Sequence, residues 1–185
     1  RLLEGIGWDR DEIGALVFVS QFPDFQSPST AFVLQSRLGL GQSCFVFDIN
    51  LGCSGFTAGL QVVSMLLQGS DKTKGLLLCG DTCTKTVNPE NQASALMFGD
   101  AGTATAIELD GKGKLVCAQG SKGSGYRSLY KPQSGYRYFS SVPEWREEVA
   151  KEDRIVGIAE SVMQGDEVFQ FTMTDVVEAF KEYFG

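Results

Sequence analysis

Twice in its first seventy residues the chain runs from a short apolar segment of β-formers, through a marked turn, into a helical stretch, and this repeat constrains the fold more than any other feature. Residues 15–20 form the first such segment, and Ser27-Pro28 then offers a helix-capping residue followed by proline at a first turn. The helix predicted there runs to Leu38, where Gly39 stops it. Residues 44–49 (Cys-Phe-Val-Phe-Asp-Ile) repeat the strand pattern, and after the turn Asn-Leu-Gly-Cys-Ser-Gly a helix is predicted over residues 56–67, ending at Gly69. Further strands are expected at 75–79, 103–109 and 115–119, with a short helix at 92–97. Strands alternating with helices imply β-α-β units and a mainly parallel sheet covered on its faces, an α/β protein.

Two stretches depart from this rhythm. Residues 120–150 carry Gly, Ser, Tyr and Pro with few aliphatic residues and read as a surface excursion, either functional or a plain insertion. Residues 165–184 place Phe169, Met173, Val176, Phe180 and Phe184 on one helical face, an amphipathic stripe expected to face the core. The helix at 56–67 is different again, with Phe56, Leu60, Val62, Val63, Met65, Leu66 and Leu67 surrounding its axis, so cover is expected from two sides.

Composition narrows the function classes. With 43% hydrophobic and 21% charged residues the chain is ordinary globular material. Sixteen basic against 23 acidic residues, a net charge of -7, disfavour nucleic acid or an anionic membrane as partner. The apolar runs fall far short of a membrane span. No basic-then-apolar leader opens the sequence, and the five cysteines are an odd number in a chain too large to need stapling, so reduced thiols and a cytoplasmic location are expected. The 185 residues contain no histidine, which removes a Cys-His pair, a histidine metal ligand and an imidazole base from within the chain. The opening on a helix tail at Arg1 suggests an internal piece, a single partial domain over 1–185.

The turn Asp48-Ile49-Asn50-Leu51-Gly52-Cys53-Ser54-Gly55-Phe56 is where chemistry is expected. It joins a buried strand to a buried helix with glycine on either side of a Cys-Ser pair, so one side chain is presented at the tip. The positive end of the helix there favours a thiolate, and the Cys53 N–H is placed to face a carbonyl oxygen. Two readings of Cys53 stand at this point, a nucleophile or a small buried apolar residue. Cys44 and Cys117 fall inside strand patterns and read as core. Cys79 and Cys83 lack the second close pair and the histidine that a metal site would need.

That run, with Phe98-Gly99-Asp100-Ala101-Gly102 and Met163-Gln164-Gly165-Asp166-Glu167-Val168-Phe169 following in order, resembles β-ketoacyl-acyl carrier protein synthase III of the thiolase superfamily, from about residue 15 to 184. The resemblance implies a thiolase-like fold layered α/β/α/β/α, of which this chain is the N-terminal half without its first elements, the C-terminal half being absent. It implies Cys53 as nucleophile and backbone oxyanion donor, with the family's histidine and asparagine in that absent half, so that the chain alone is expected to be inactive. Phe98, Met163 and Phe169 would line the acyl pocket, or be plain core. Ser27 stands where some members have a gating phenylalanine, and Gln92 where some hold coenzyme A with an arginine. Thr103 replaces a glycine of the pattern after Asp100.

The implied reaction is a decarboxylative Claisen condensation of an acyl-coenzyme A primer with malonyl-acyl carrier protein in fatty acid biosynthesis. The implied protein is a homodimer with no metal or covalently bound cofactor and with coenzyme A as primer carrier. Alternatives within the fold are an acyltransferase, a thioesterase or a secondary-metabolite synthase; from another class, a non-catalytic partner subunit, against which the retained Cys53 argues.

Overall fold

A computed structural model of the chain describes residues 1–85, 87, 95–113, 115–131 and 162–184. They fall into two compact units, one of Arg1–Cys83 with Gly99–Cys117, the other of Thr84–Phe98 with Ala118–Gly185.

The first unit is built on a four-stranded sheet. A short helix α1 (Leu2–Ile6) ends on Gly7 in the left-handed conformation, φ 69°. A single helical turn at Arg10–Glu12, closed by a capping box from Asp9, then delivers the chain into β1 (Ile13–Val19). There follow α2 (Thr30–Leu38), β2 (Phe45–Ile49), α3 (Gly55–Gln68), β3 (Lys74–Thr82) and β4 (Asp100–Glu108). The strand order is β2-β1-β3-β4. β1 pairs in parallel with β2 and β3, Val17 lying opposite Phe47 and Leu77, while β4 returns antiparallel with Cys79 opposite Thr103. The sheet is therefore mostly parallel, as the alternating pattern implies, and the antiparallel β4 makes it mixed.

β1 is covered on both faces, which is why it reads as a nearly unbroken apolar run. Ile13 and Leu16 pack with Ala31, Leu40, Cys44, Val46 and Leu76 on the α2 side. Ala15, Val17 and Val19 pack with Val63, Leu67, Leu77 and Ile107 on the α3 side. The odd spacing from Ile13 to Leu16 reflects a register shift between Ile13 and Ala15.

Several sequence expectations are corrected here. Ser27 does not cap α2, because the helix begins at Thr30 with Ser29 as its N-cap residue. What fixes that start is distant in sequence, because Asp48 Oδ2 and Oδ1 accept the N–H groups of Thr30 and Ala31, both at 2.8 Å. Residues 115–119 form no strand. Helix α3 buries Gly55, Gly59, Val63, Ser64 and Leu67 against the sheet but leaves Phe56 and Met65 exposed, since one sheet face covers only one side of a helix. Among the described residues no helix is long and apolar enough to cross a membrane.

In the second unit, β5 (Leu129–Tyr130) pairs antiparallel with β6 (Val162–Met163), and α4 (Gly165–Met173) is followed by α5 (Asp175–Phe184). The single helix expected over 165–184 is broken at Thr174, whose hydroxyl bonds the Gln170 carbonyl at 2.8 Å. The stripe expected in the core is exposed, Phe180 and Phe184 by 63% and 72%. Periodicity marks an apolar face but not what covers it. Lys122 binds the Asp175 carboxylate at 2.8 Å through both oxygens and holds it below its usual range. Residues 132–150 of the excursion and 92–94 of the helix expected at 92–97 lie outside the described residues.

Candidate active site

Cys53 sits in the turn between β2 and α3, and its side chain is exposed. Leu51 N–H bonds the Ile49 carbonyl at 3.1 Å and Gly55 N–H bonds the Gly52 carbonyl at 2.8 Å, folding residues 49–55 into a tight reversal. Ser54 is the N-cap of α3 but makes no side-chain cap bond; its carbonyl instead accepts the Thr57 hydroxyl at 2.9 Å and the Ala58 N–H at 3.1 Å. Neighbouring side chains crowd both flanking glycines. A Cβ on Gly52 would stand 2.6 Å from Gln21 Oε1, and one on Gly55 would run into Val19 Cγ1. The second reading of Cys53, a buried apolar residue, does not fit an exposed side chain.

The loop after β1 abuts this turn. Ser20 N–H donates to the Ile49 carbonyl at 3.1 Å. Asp81 Oδ1, at the end of β3, accepts Ser20 Oγ–H at 2.7 Å, Gln21 N–H at 2.8 Å and Phe22 N–H at 3.1 Å. None of Ser20, Gln21 and Asp81 stands out in the sequence, because the contacts that join them span about sixty positions.

Two of the other four cysteines have thiols raised by burial. Burial pushes the Cys44 thiol up to about 11, with Lys72 pulling the other way, and raises that of Cys79, with Asp81 adding to the effect. Cys44 is core as expected, whereas Cys117 is half-buried outside any strand. Among the described residues no group of three or more Cys, Asp or Glu side chains is arranged to hold a metal ion.

Phe98, Met163 and Phe169 all lie in the second unit and are exposed by 41%, 43% and 66%. Met163 stands opposite Leu129 in the small sheet. The motif beginning there ties down residues 127 and 128: Gln164 N–H bonds the Ser128 carbonyl at 2.8 Å, Gln164 Nε2 donates to the Arg127 carbonyl at 3.2 Å, and Ser128 Oγ–H donates to Glu167. Ser27 is an exposed residue of the first unit. Gln92 lies outside the described residues. Thr103 donates its hydroxyl to the Cys79 carbonyl at 3.4 Å, across the β3–β4 pair. A cavity of about 670 Å³ in the first unit is lined by Phe18, Phe22, Leu34, Leu78 and the facing ends of β3 and β4, and Cys53 is not part of its wall.

Residues 47–123, which include the Cys53 turn, match the family model described as 3-oxoacyl-[acyl-carrier-protein (ACP)] synthase III. A putative 3-oxoacyl-[acyl-carrier-protein] synthase 3 of Campylobacter jejuni subsp. jejuni is 32% identical over 181 residues, covering 98% of this chain and 51% of the relative. A β-ketoacyl-[acyl-carrier-protein] synthase III of Caldanaerobacter subterraneus is 30% identical over 175 residues, 94% of this chain and 50% of the relative. Among solved structures, a 3-oxoacyl-(acyl-carrier protein) synthase from Burkholderia xenovorans LB400 superposes with a TM-score of 0.78 at 37% identity, covering 98% of this chain and 50% of that one. The chain spans about half the length of the curated relatives it matches.

Proposed function

The stretch spanned by this chain belongs to the 3-oxoacyl-[acyl-carrier-protein] synthase III family of the thiolase superfamily, and from that premise we propose that the protein condenses an acyl-coenzyme A primer with malonyl-acyl carrier protein through an acyl-Cys53 intermediate. The observation that carries this reading is the exposed Cys53 at a strand-to-helix turn too tight for a side chain on Gly55, inside the segment that matches the family.

In the proposed first step the Cys53 thiolate attacks the primer's thioester carbonyl. The Cys53 N–H is the oxyanion donor this chain can offer, and collapse of the tetrahedral intermediate breaks the old C–S bond and releases coenzyme A. In the second step the malonyl carboxylate leaves as carbon dioxide. The electron pair of that C–C bond attacks the acyl carbonyl, and the Cys53 sulfur departs, giving 3-oxoacyl-acyl carrier protein. No histidine of these 185 residues assists either step. Neither step calls for a metal or a bound prosthetic group; coenzyme A enters as carrier. Ser27 is the proposed residue of the primer gate, Phe98, Met163 and Phe169 the proposed wall of the acyl pocket, and Gln92 the proposed contact to coenzyme A. The working form is proposed to be a cytoplasmic homodimer.

Incubating the intact protein with acyl-coenzyme A and malonyl-acyl carrier protein tests this. The expected result is one carbon dioxide and one 3-oxoacyl-acyl carrier protein per primer consumed, abolished in Cys53→Ala. Free fatty acid without condensation would instead identify a thioesterase, and primer transfer without loss of carbon dioxide a simple acyltransferase.

A further inference from the structure

Three donors converge on one oxygen, Oδ1 of Asp81: Ser20 Oγ–H, Gln21 N–H and Phe22 N–H. An ionised carboxylate oxygen sustains such a set far better than a neutral amide does. The Ser20 hydroxyl is itself committed, because it also accepts Phe22 N–H at 3.1 Å, and Ser20 is only 2% exposed, so water does not readily replace Asp81. The carboxylate thus sets the path of residues 20–22.

That path touches the Cys53 turn twice. Ser20 N–H bonds the Ile49 carbonyl, where the turn leaves β2, and the Gln21 carboxamide lies over Gly52, with Oε1 2.6 Å and Cδ 2.8 Å from where a Cβ would stand. Ile49 and Gly52 bracket the three peptides that lead into Cys53. We infer that Asp81 is a positioning residue: acting through Ser20 and Gln21, it fixes the 49–52 segment and so the direction in which Cys53 presents its sulfur. The inference rests on the reading of Cys53 as the acyl acceptor.

Single-turnover acylation by labelled acyl-coenzyme A, in the intact protein and normalised to alkylatable Cys53, tests it. Asp81→Ala is expected to slow acyl transfer about tenfold or more with half-saturation unchanged, since small misplacements of a reacting group cost rate rather than binding. Asp81→Asn, which keeps the shape but not the charge, is expected to lose less. Gln21→Ala, at an exposed position, is expected to fold normally and slow transfer by roughly three- to tenfold, and the double variant to be no slower than Asp81→Ala, because the two act in series. A purely structural role would lower stability and leave the normalised rate alone. Wild-type rates in Asp81→Asn and Gln21→Ala, or a double variant whose losses multiply, would overturn the inference, and both remain measurable if Asp81→Ala does not fold. Full acyl transfer in Cys53→Ala, counted per chain, would overturn the reading of Cys53 itself, which tells the two failures apart.

Discussion

Asp48 Oδ2 accepts the backbone N–H of Thr30 at 2.8 Å, so a carboxylate on β2 caps a helix that begins eighteen residues earlier. Its other oxygen takes the next amide, Ala31, and no side chain at Ser29 does this work. Losing a helix cap costs about 0.5–2 kcal/mol and these two bonds are charge-assisted, so Asp48→Ala is expected to lower stability by about 2 kcal/mol. Urea unfolding of the intact protein measures it, with Asp48→Asn expected between the two. An unchanged midpoint in Asp48→Ala would remove the cap from the account.

The two glycines of the Cys53 turn should respond differently to alanine. At Gly55 the new methyl meets Val19, a buried core residue that cannot yield, so a loss of about 1–3 kcal/mol and slower acylation are expected. At Gly52 it meets the far end of the Gln21 side chain, which can move aside, so stability should change by less than about 1 kcal/mol, while acylation should slow about as in Gln21→Ala because the contact over the turn is lost. Equal losses at the two positions would contradict this reading of the turn.

Cys44 gives a pH dependence with a definite sign. Its thiol is pushed by burial from 9.0 to about 11 in the folded chain. The folded state therefore holds its proton where the unfolded chain has lost it. The stabilising contribution is whole below pH 9, falls as pH rises, and is gone above pH 11. Wild-type protein should lose stability across that window more steeply than Cys44→Ala. At pH 8 only about one Cys44 in a thousand would be thiolate, so alkylation should reach exposed Cys53 long before Cys44. Parallel pH profiles for wild type and Cys44→Ala would be the contrary result.

Much of the first unit is legible in the sequence because its signals are local. The apolar runs at Leu16 and Val46, the left-handed stop at Gly39 and the Gly-Cys-Ser-Gly turn each announce an element within a few residues. The start of α2 is not legible, since Asp48 decides it through space while Ser27-Pro28 offers the stronger local signal. Asp81 and Gln21 escape notice for the same reason. The Phe169 to Phe184 stripe has helical period, yet Thr174 divides it and the described residues do not bury it. Cys53 is legible as a candidate because glycines on either side of a Cys-Ser pair, followed by an apolar helix, mark a strand-to-helix turn that raises one side chain.

Ser27 bears on primer choice under the proposed function. A small, exposed side chain at the gate leaves volume that a phenylalanine would fill. Each buried methylene contributes about 0.8 kcal/mol, close to fourfold in binding. The protein is expected to favour butyryl- or isobutyryl- over acetyl-coenzyme A in kcat/KM, and Ser27→Phe to reverse that order. A strict acetyl preference left unchanged by Ser27→Phe would contradict the gate.

The central claim is that Cys53 carries the acyl group. Brief exposure of the intact protein to acyl-coenzyme A without malonyl-acyl carrier protein, followed by acid quench, proteolysis and peptide mass spectrometry, tests it most directly. The account predicts close to one acyl group per chain, on the peptide containing Gly52-Cys53-Ser54, discharged when malonyl-acyl carrier protein is added. Label on Cys79 or Cys83 with Cys53 unmodified, or turnover undiminished in Cys53→Ala, would contradict it.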